Sequence, residues 1–152
     1  MWGLRIMKER KTNMHKIAFR AWDKLNKKMI TPVFEYTPSE NIYTTYNDFV
    51  NKWIYGLDNK NIVLMQFIGI QDGNGVEIYE EDILKYVRTD IEIDTFWMVK
   101  FRSGGLFVAY PAWFDTTERI WKCSTQVHFV FNENKIDFIV FGHTYDDVFG
   151  NK

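Results

Sequence analysis

The sequence predicts a mainly β domain: a small barrel or sandwich of short strands, preceded by an N-terminal hairpin and carrying one short helix. Three observations predict it. Aromatic residues make up 18% of the chain, and Phe, Tyr and Trp favour pleated, half-buried surfaces. From residue 62 onward, apolar runs at 62–68, 83–88, 95–102, 105–110, 126–131 and 136–142 alternate with turn signals, the spacing of a small barrel or sandwich. Between the first two runs lies Asp72-Gly73-Asn74-Gly75, a tight turn, because glycine reaches positive φ without a Cβ penalty and Asn and Asp tolerate it.

The elements follow in order. Residues 1–13 are polar and basic without a sustained period, and read as a poorly ordered extension ahead of one domain over 14–150. Ile17, Phe19 and Ala21 alternate with Ala18, Arg20 and Trp22, the period of a strand. A polar turn at 23–28 leads to a returning strand at 29–34, which Pro32 assigns to a sheet edge. Tyr46, Phe49, Val50, Trp53 and Ile54 form a helical apolar stripe over 45–56, with Thr45 as N-cap, Asp48 near the positive end of the dipole and Gly56 as the stop. The barrel core then runs from about residue 62 to 145. After the Asp72–Gly75 turn the chain returns to apolar structure at Ile78-Tyr79. Asp82 is placed to accept local backbone hydrogen bonds where the next strand begins. Ser103-Gly104-Gly105 is a hairpin turn. Residues 111–125 read equally as a short helix or a long loop.

Composition bounds the function. A chain of 152 residues buries enough surface to fold without disulfide staples, and its one cysteine, Cys123, fits a reducing compartment. No apolar stretch approaches the ~18 residues of a membrane span, and the first residues lack the apolar core of a signal peptide, so the expected setting is the cytoplasm, away from membranes. Net charge is -1, but nine of the 19 Lys and Arg fall within residues 1–28 against two acids. A basic end on an acidic body is a candidate for phosphate contact by the hairpin, although the body repels phosphate.

The candidate chemistry is thin. Glu77, Glu80, Glu81 and Asp82, with Asp72 and Asn74 nearby, offer oxygen ligands, but the spacing fails the EF-hand pattern at Val76 and Ile83. Cys123 and His128, with Asp137 beyond, are the one nucleophile-and-base set, and no known local signature surrounds Cys123. Gly73-Asn74-Gly75 lacks the Lys-Ser/Thr of a phosphate loop. No catalytic residue, metal site or cofactor is called for. Arg20, Trp22, Lys24, Lys27 and Lys28 combine cations with an aromatic ring, the chemistry of a partner or nucleic-acid contact. Trp22 either stacks on bases or tucks into the core, and the core placement is expected.

Three segments carry a resemblance. They are Phe19-Arg20-Ala21-Trp22-Asp23-Lys24 with Asn26-Lys27-Lys28-Met29; the run from Leu64 through Gly69-Ile70-Gln71-Asp72-Gly73-Asn74-Gly75 and Ile78-Tyr79-Glu80-Glu81-Asp82-Ile83; and Val140-Phe141-Gly142-His143-Thr144-Tyr145-Asp146. Together, over roughly residues 16–148, they resemble the YopX-type proteins of bacteriophages and of prophages in Gram-positive bacteria. Two positions depart from that pattern: Glu81 stands where the family usually has glycine, and His143 where it usually has asparagine. The resemblance implies an SH3-like, partly open barrel, with Asp72, Gly73, Asn74, Gly75, Tyr79 and Asp82 as its structural motif. It implies no activity. The expected role is an accessory, non-catalytic protein-interaction module whose partner is a phage or host protein. The alternative is a single-stranded nucleic-acid binder using the basic hairpin, with a hydrolytic enzyme third; self-association stays open.

Overall fold

The computed structural model describes residues 16–37, 42–45, 61–87, 95–126, 128–131 and 137–146. These residues are mostly strand and contain no α-helix. Two antiparallel sheets share the work. The first holds β1 (Ile17–Asp23), β2 (Lys28–Thr37), β3 (Ile42–Thr45), β4 (Ile62–Gln71) and β5 (Glu77–Tyr79) in the order β3-β2-β1-β4-β5. The second holds β6 (Asp82–Tyr86), β7 (Phe96–Arg102), β8 (Leu106–Asp115), β10 (Phe129–Val130) and β11 (Phe138–His143) in the order β10-β8-β7-β6-β11, with β9 (Ile120–Cys123) also on β8. The sheet is open and curled, a half-barrel.

The predicted hairpin is β1–β2. Asp23 Oδ1 accepts the Leu25 and Asn26 amides at 2.9 and 3.0 Å, so the turn is closed by its own first residue. Pro32 does not mark an edge, because β2 lies between β1 and β3. It is accommodated because the β1–β2 register slips between Phe19 and Ala21, and β3 pairs only from Phe34 onward. Its missing donor therefore falls in an irregular stretch. Of the expected helix, Thr45 is the last residue of β3, and 46–56 lies outside the described residues, as do residues 1–13.

Residues 111–125 are neither helix nor loop. β8 runs on to Asp115, turns, and returns as β9. Asp115 Oδ1 closes that turn by accepting the Thr117 and Glu118 amides at 2.9 and 3.0 Å. Pro111 is tolerated mid-strand because β10 pairs with 108–109 and β9 with 112–115, and Pro111 lies between.

Asp72 explains the central turn. Its Oδ1 accepts the Asn74 and Val76 amides at 2.8 and 2.9 Å, and its Oδ2 reaches across to the Val140 amide of β11 at 2.8 Å. Gly73 N–H adds a bond to the Phe138 carbonyl at 3.2 Å. One buried carboxylate thus shapes the turn and covers the outer edge of β11, a protection that an edge strand needs. Positive φ is carried by Gly75, at 82°, and not by Gly73.

The apolar interior divides accordingly. Ala18, Met65, Phe67 and Tyr79 pack in the first sheet, under Trp22 and Tyr145. Ile78, Leu84 and Val99 pack with Ile68 and Ile70. Ile83, Met98 and Trp121 lie inside the curl of the second sheet, with Phe96 and Phe114 around them. β5 passes through Glu80 and Glu81 directly into β6, so the sheets meet at that step. No helix among the described residues is long and apolar enough to cross a membrane.

Candidate functional site

Among the described residues, the buried ion pair of the molecule lies where the sheets meet. Arg20 and Trp22 are two apart on β1 and therefore share a face. Asp82 opens β6 and His143 closes β11, and the two are direct cross-strand partners. Arg20 Nη2 donates to Asp82 Oδ1, its Nε–H points to Met65 Sδ at 3.3 Å, and its guanidinium lies 4.6 Å from the Tyr79 ring centre. Asp82 Oδ2 accepts the Tyr79 amide at 2.8 Å. Side-chain exposure is 12% for Arg20 and 1% for Asp82, so this is a buried ion pair. Burial pushes the Asp82 carboxyl up to about 6, a rise that the Arg20 charge and the Tyr79 hydrogen bond only partly oppose.

Beside it sits an aromatic group. The Trp22 ring lies 4.8 Å from His143, and Tyr145 stacks on Trp22 at 6.1 Å. His143 Nε2 pairs with Asp146 Oδ1 at 2.9 Å, and its Nδ1 accepts the Tyr145 amide at 3.3 Å. Asp146 Oδ2 in turn accepts the His143 amide at 3.0 Å. The return is tight at Gly142, where an added Cβ would stand 2.7 Å from Asp146 Oδ2 and would displace that carboxylate. Burial holds the His143 imidazole below its ordinary value, against the pull of Asp146 and with the push of Arg20.

The acidic run disperses instead of converging. Glu77 pairs with Lys16 at 2.5 Å and accepts the Tyr79 hydroxyl at 2.9 Å. Glu81 holds Lys100 and, at 2.8 Å, the Thr144 hydroxyl. Asp82 takes Arg20. Glu77 lies on β5, Glu80 and Glu81 in the turn and Asp82 on β6, and Glu77, Glu81 and Asp82 each hold a different cation. Burial raises the Glu80 carboxyl. Among the described residues no three His, Cys, Asp or Glu are grouped to hold a metal ion.

Glu81 also explains its own family position: it has a φ of 67°, a left-handed conformation that glycine adopts without strain. His143 and Glu81 thus both serve the joint between the sheets. In the sequence Glu81 stands out as one oxygen of the acidic run and His143 as a departure from a pattern, and the one signal that joins them is that both departures fall inside motif segments.

The structure separates the predicted contact residues. Arg20 and Trp22 turn into the joint. Lys24, Lys27 and Lys28 remain exposed on the hairpin turn, around a Leu25 that is 72% exposed. Cys123 and His128 have different surroundings. Cys123 packs beside Ile83, Met98 and Trp121, and burial raises its thiol, which disfavours the thiolate. His128 Nε2 faces Arg102 at 2.7 Å and its ring meets Tyr110.

Comparison with known proteins adds the lineage. Among solved structures, protein EF1440 from Enterococcus faecalis is similar at 22% identity and a TM-score of 0.48, over 85% of this chain and 93% of that one. No curated protein matches. The family model described as "YopX protein" matches residues 18–147, which include the β1 hairpin, the Asp72 turn, the Arg20–Asp82 joint and the His143 return. With most of its length matched, the chain belongs to the YopX family.

Proposed function

We propose that the protein is a phage- or prophage-type accessory factor acting as a non-catalytic protein-interaction module on a small SH3-like barrel in the cytoplasm. One observation carries the reading: the tip of the β7–β8 hairpin exposes apolar groups on both faces. Phe101 pairs with Phe107 across the hairpin, their rings 5.3 Å apart, and Phe101 is 52% exposed. Leu106 and Val130, each 53% exposed, lie on neighbouring strands and face the other side. Apolar groups left together in water favour a protein partner. The buried carboxylates of the joint are committed to internal donors, which leaves little for catalysis. The single thiol fits a reducing compartment.

The test is affinity purification from phage-infected host cells, with wild type and a folded Phe101→Ser/Leu106→Ser variant as baits. A phage or host protein held by wild type and lost by the variant supports the reading. A partner held equally by both overturns it. Nucleic-acid binding is the second reading, and it rests on Lys24, Lys27 and Lys28 projecting from an ordered turn.

A further inference from the structure

We propose that His143 is a proton-sensitive pin: uptake of a proton at Nδ1 expels the Tyr145 amide and releases the Trp22–Tyr145 stack that holds the C-terminal turn on β1. The geometry sets this up. An imidazole nitrogen accepts a hydrogen bond only while it carries no proton. Nδ1 accepts the Tyr145 N–H at 3.3 Å, and Nε2 faces the Asp146 carboxylate at 2.9 Å, so the resident form is the neutral Nε2–H tautomer. A second proton has one place to go, and that place is already occupied by a backbone donor. Two N–H groups then point at each other, and one must leave.

The amide that leaves belongs to Tyr145, whose ring stacks on Trp22. Trp22 itself lies against the His143 ring, so the two aromatic contacts that Trp22 makes with this turn meet at the same imidazole. The charged groups around it are split in sign. Arg20 from β1 opposes the proton; Asp146 from the turn favours it; Asp82, across the β6–β11 ladder, is paired with Arg20 but is held up to about 6 by burial and titrates in the same window; Glu80 and Glu81 act on Tyr145 by their charge. These are the charges that act on the imidazole and on Tyr145 beside it. Asparagine, usual at this position in the resemblance, can accept the amide and donate to Asp146 but cannot titrate between pH 5 and 8. Histidine therefore turns a fixed joint into a conditional one.

The experiment is an NMR titration of the whole chain from pH 8 to 5, following the His143 ring nitrogens, the Tyr145 amide and the Trp22 indole, in wild type, His143→Asn and His143→Asn/Asp82→Asn. The expected wild type has the Nε2–H tautomer at high pH. It has one midpoint, below the ordinary histidine value of about 6.5, shared by the imidazole, the Tyr145 amide and Trp22. The expected His143→Asn variant keeps the high-pH Trp22 and Tyr145 signals and loses that transition. The proposal fails if His143 titrates while Tyr145 and Trp22 stay still, if the tautomer is Nδ1–H, or if the transition persists in His143→Asn/Asp82→Asn, which removes both groups that titrate at this ladder. Should the variants not fold, the tautomer and the shared midpoint in wild type decide alone.

Discussion

Asp82 and His143 face each other across the β6–β11 ladder, and burial favours the uncharged form of both. The consequences for stability run in opposite directions. The folded Asp82 carboxyl binds its proton more tightly than the unfolded one, so its contribution grows as pH falls through about 6 and levels off near the ordinary carboxylate value. The folded His143 binds its proton less tightly. Its contribution is complete above about 6.5 and is lost as pH falls below that. Urea midpoints between pH 7 and 5 should separate the two. Asp82→Asn should lose stability on acidification more steeply than wild type, and His143→Asn should gain it. Parallel curves for all three proteins would show that neither group titrates as described.

The ion pair itself should behave as buried pairs do. Arg20→Met strands Asp82 without its cation and should cost about 3–5 kcal/mol at pH 7. It should also raise the pH at which Asp82 takes up its proton, since Arg20 is the main charge opposing burial. Adding Asp82→Asn to Arg20→Met should recover part of the loss, because the stranded charge is gone while the Tyr79 amide keeps an acceptor. A double variant no better than Arg20→Met would show that the charge was not the source of the cost.

The turn glycines should differ. Nothing lies within 4 Å of a Cβ added at Gly75, so space is not the constraint; its φ of 82° is. Gly75→Val should destabilise by about 1 kcal/mol or more, the cost of a strained conformation. Gly73→Val should cost clearly less, having no left-handed conformation to hold. Equal thermal midpoints for the two variants would remove this distinction.

Glu81 combines a strained backbone with two useful contacts, Lys100 and Thr144. Glu81→Ala keeps the strain and loses the contacts, whereas Glu81→Gly loses both. The glycine variant should therefore be the more stable of the two by about 1 kcal/mol. The reverse order in denaturant unfolding would mean that 67° is not a cost at this position.

How much of this was legible in the chain depends on range. Period-2 runs, the Asp72 turn and the Gly104-Gly105 hairpin are local, and the strands at 62, 83, 95 and 136 fall close to where they were read. The β8–β9 hairpin was not, because Pro111 and the polar 115–119 turn mask an alternation that only pairing with β7 establishes. Pro32 misled for the same reason: whether a strand lies at an edge depends on a third strand. The joint was the least legible part. The core placement expected for Trp22 holds, but Arg20 reads as a contact residue in a basic segment, and only the approach of β6 and β11, more than sixty residues on, gives the two their partners.

That placement sets the terms for nucleic-acid binding. A single-strand binder of this size needs an aromatic platform beside its cations, and each stacked base is worth about 1–3 kcal/mol. Trp22 is already stacked on Tyr145 and lies tilted against His143, and Arg20 is spent on Asp82. Among the described residues of the hairpin, Lys24, Lys27 and Lys28 remain outside around Leu25, enough for weak phosphate contact, and the turn itself carries no ring to stack on. Trp22→Ala should therefore cost stability, about 2 kcal/mol or more from the apolar area it uncovers. Wild type should show no saturable binding of a single-stranded oligonucleotide at physiological salt. At low salt, any binding should fall steeply as salt rises and should weaken in Lys24→Ala/Lys27→Ala/Lys28→Ala, since each lysine removed is one phosphate-neutralising charge fewer. Micromolar binding at physiological salt that disappears in a folded Trp22→Ala protein would mean that Trp22 leaves the joint to meet a base. The nucleic-acid reading would then displace the protein-interaction one.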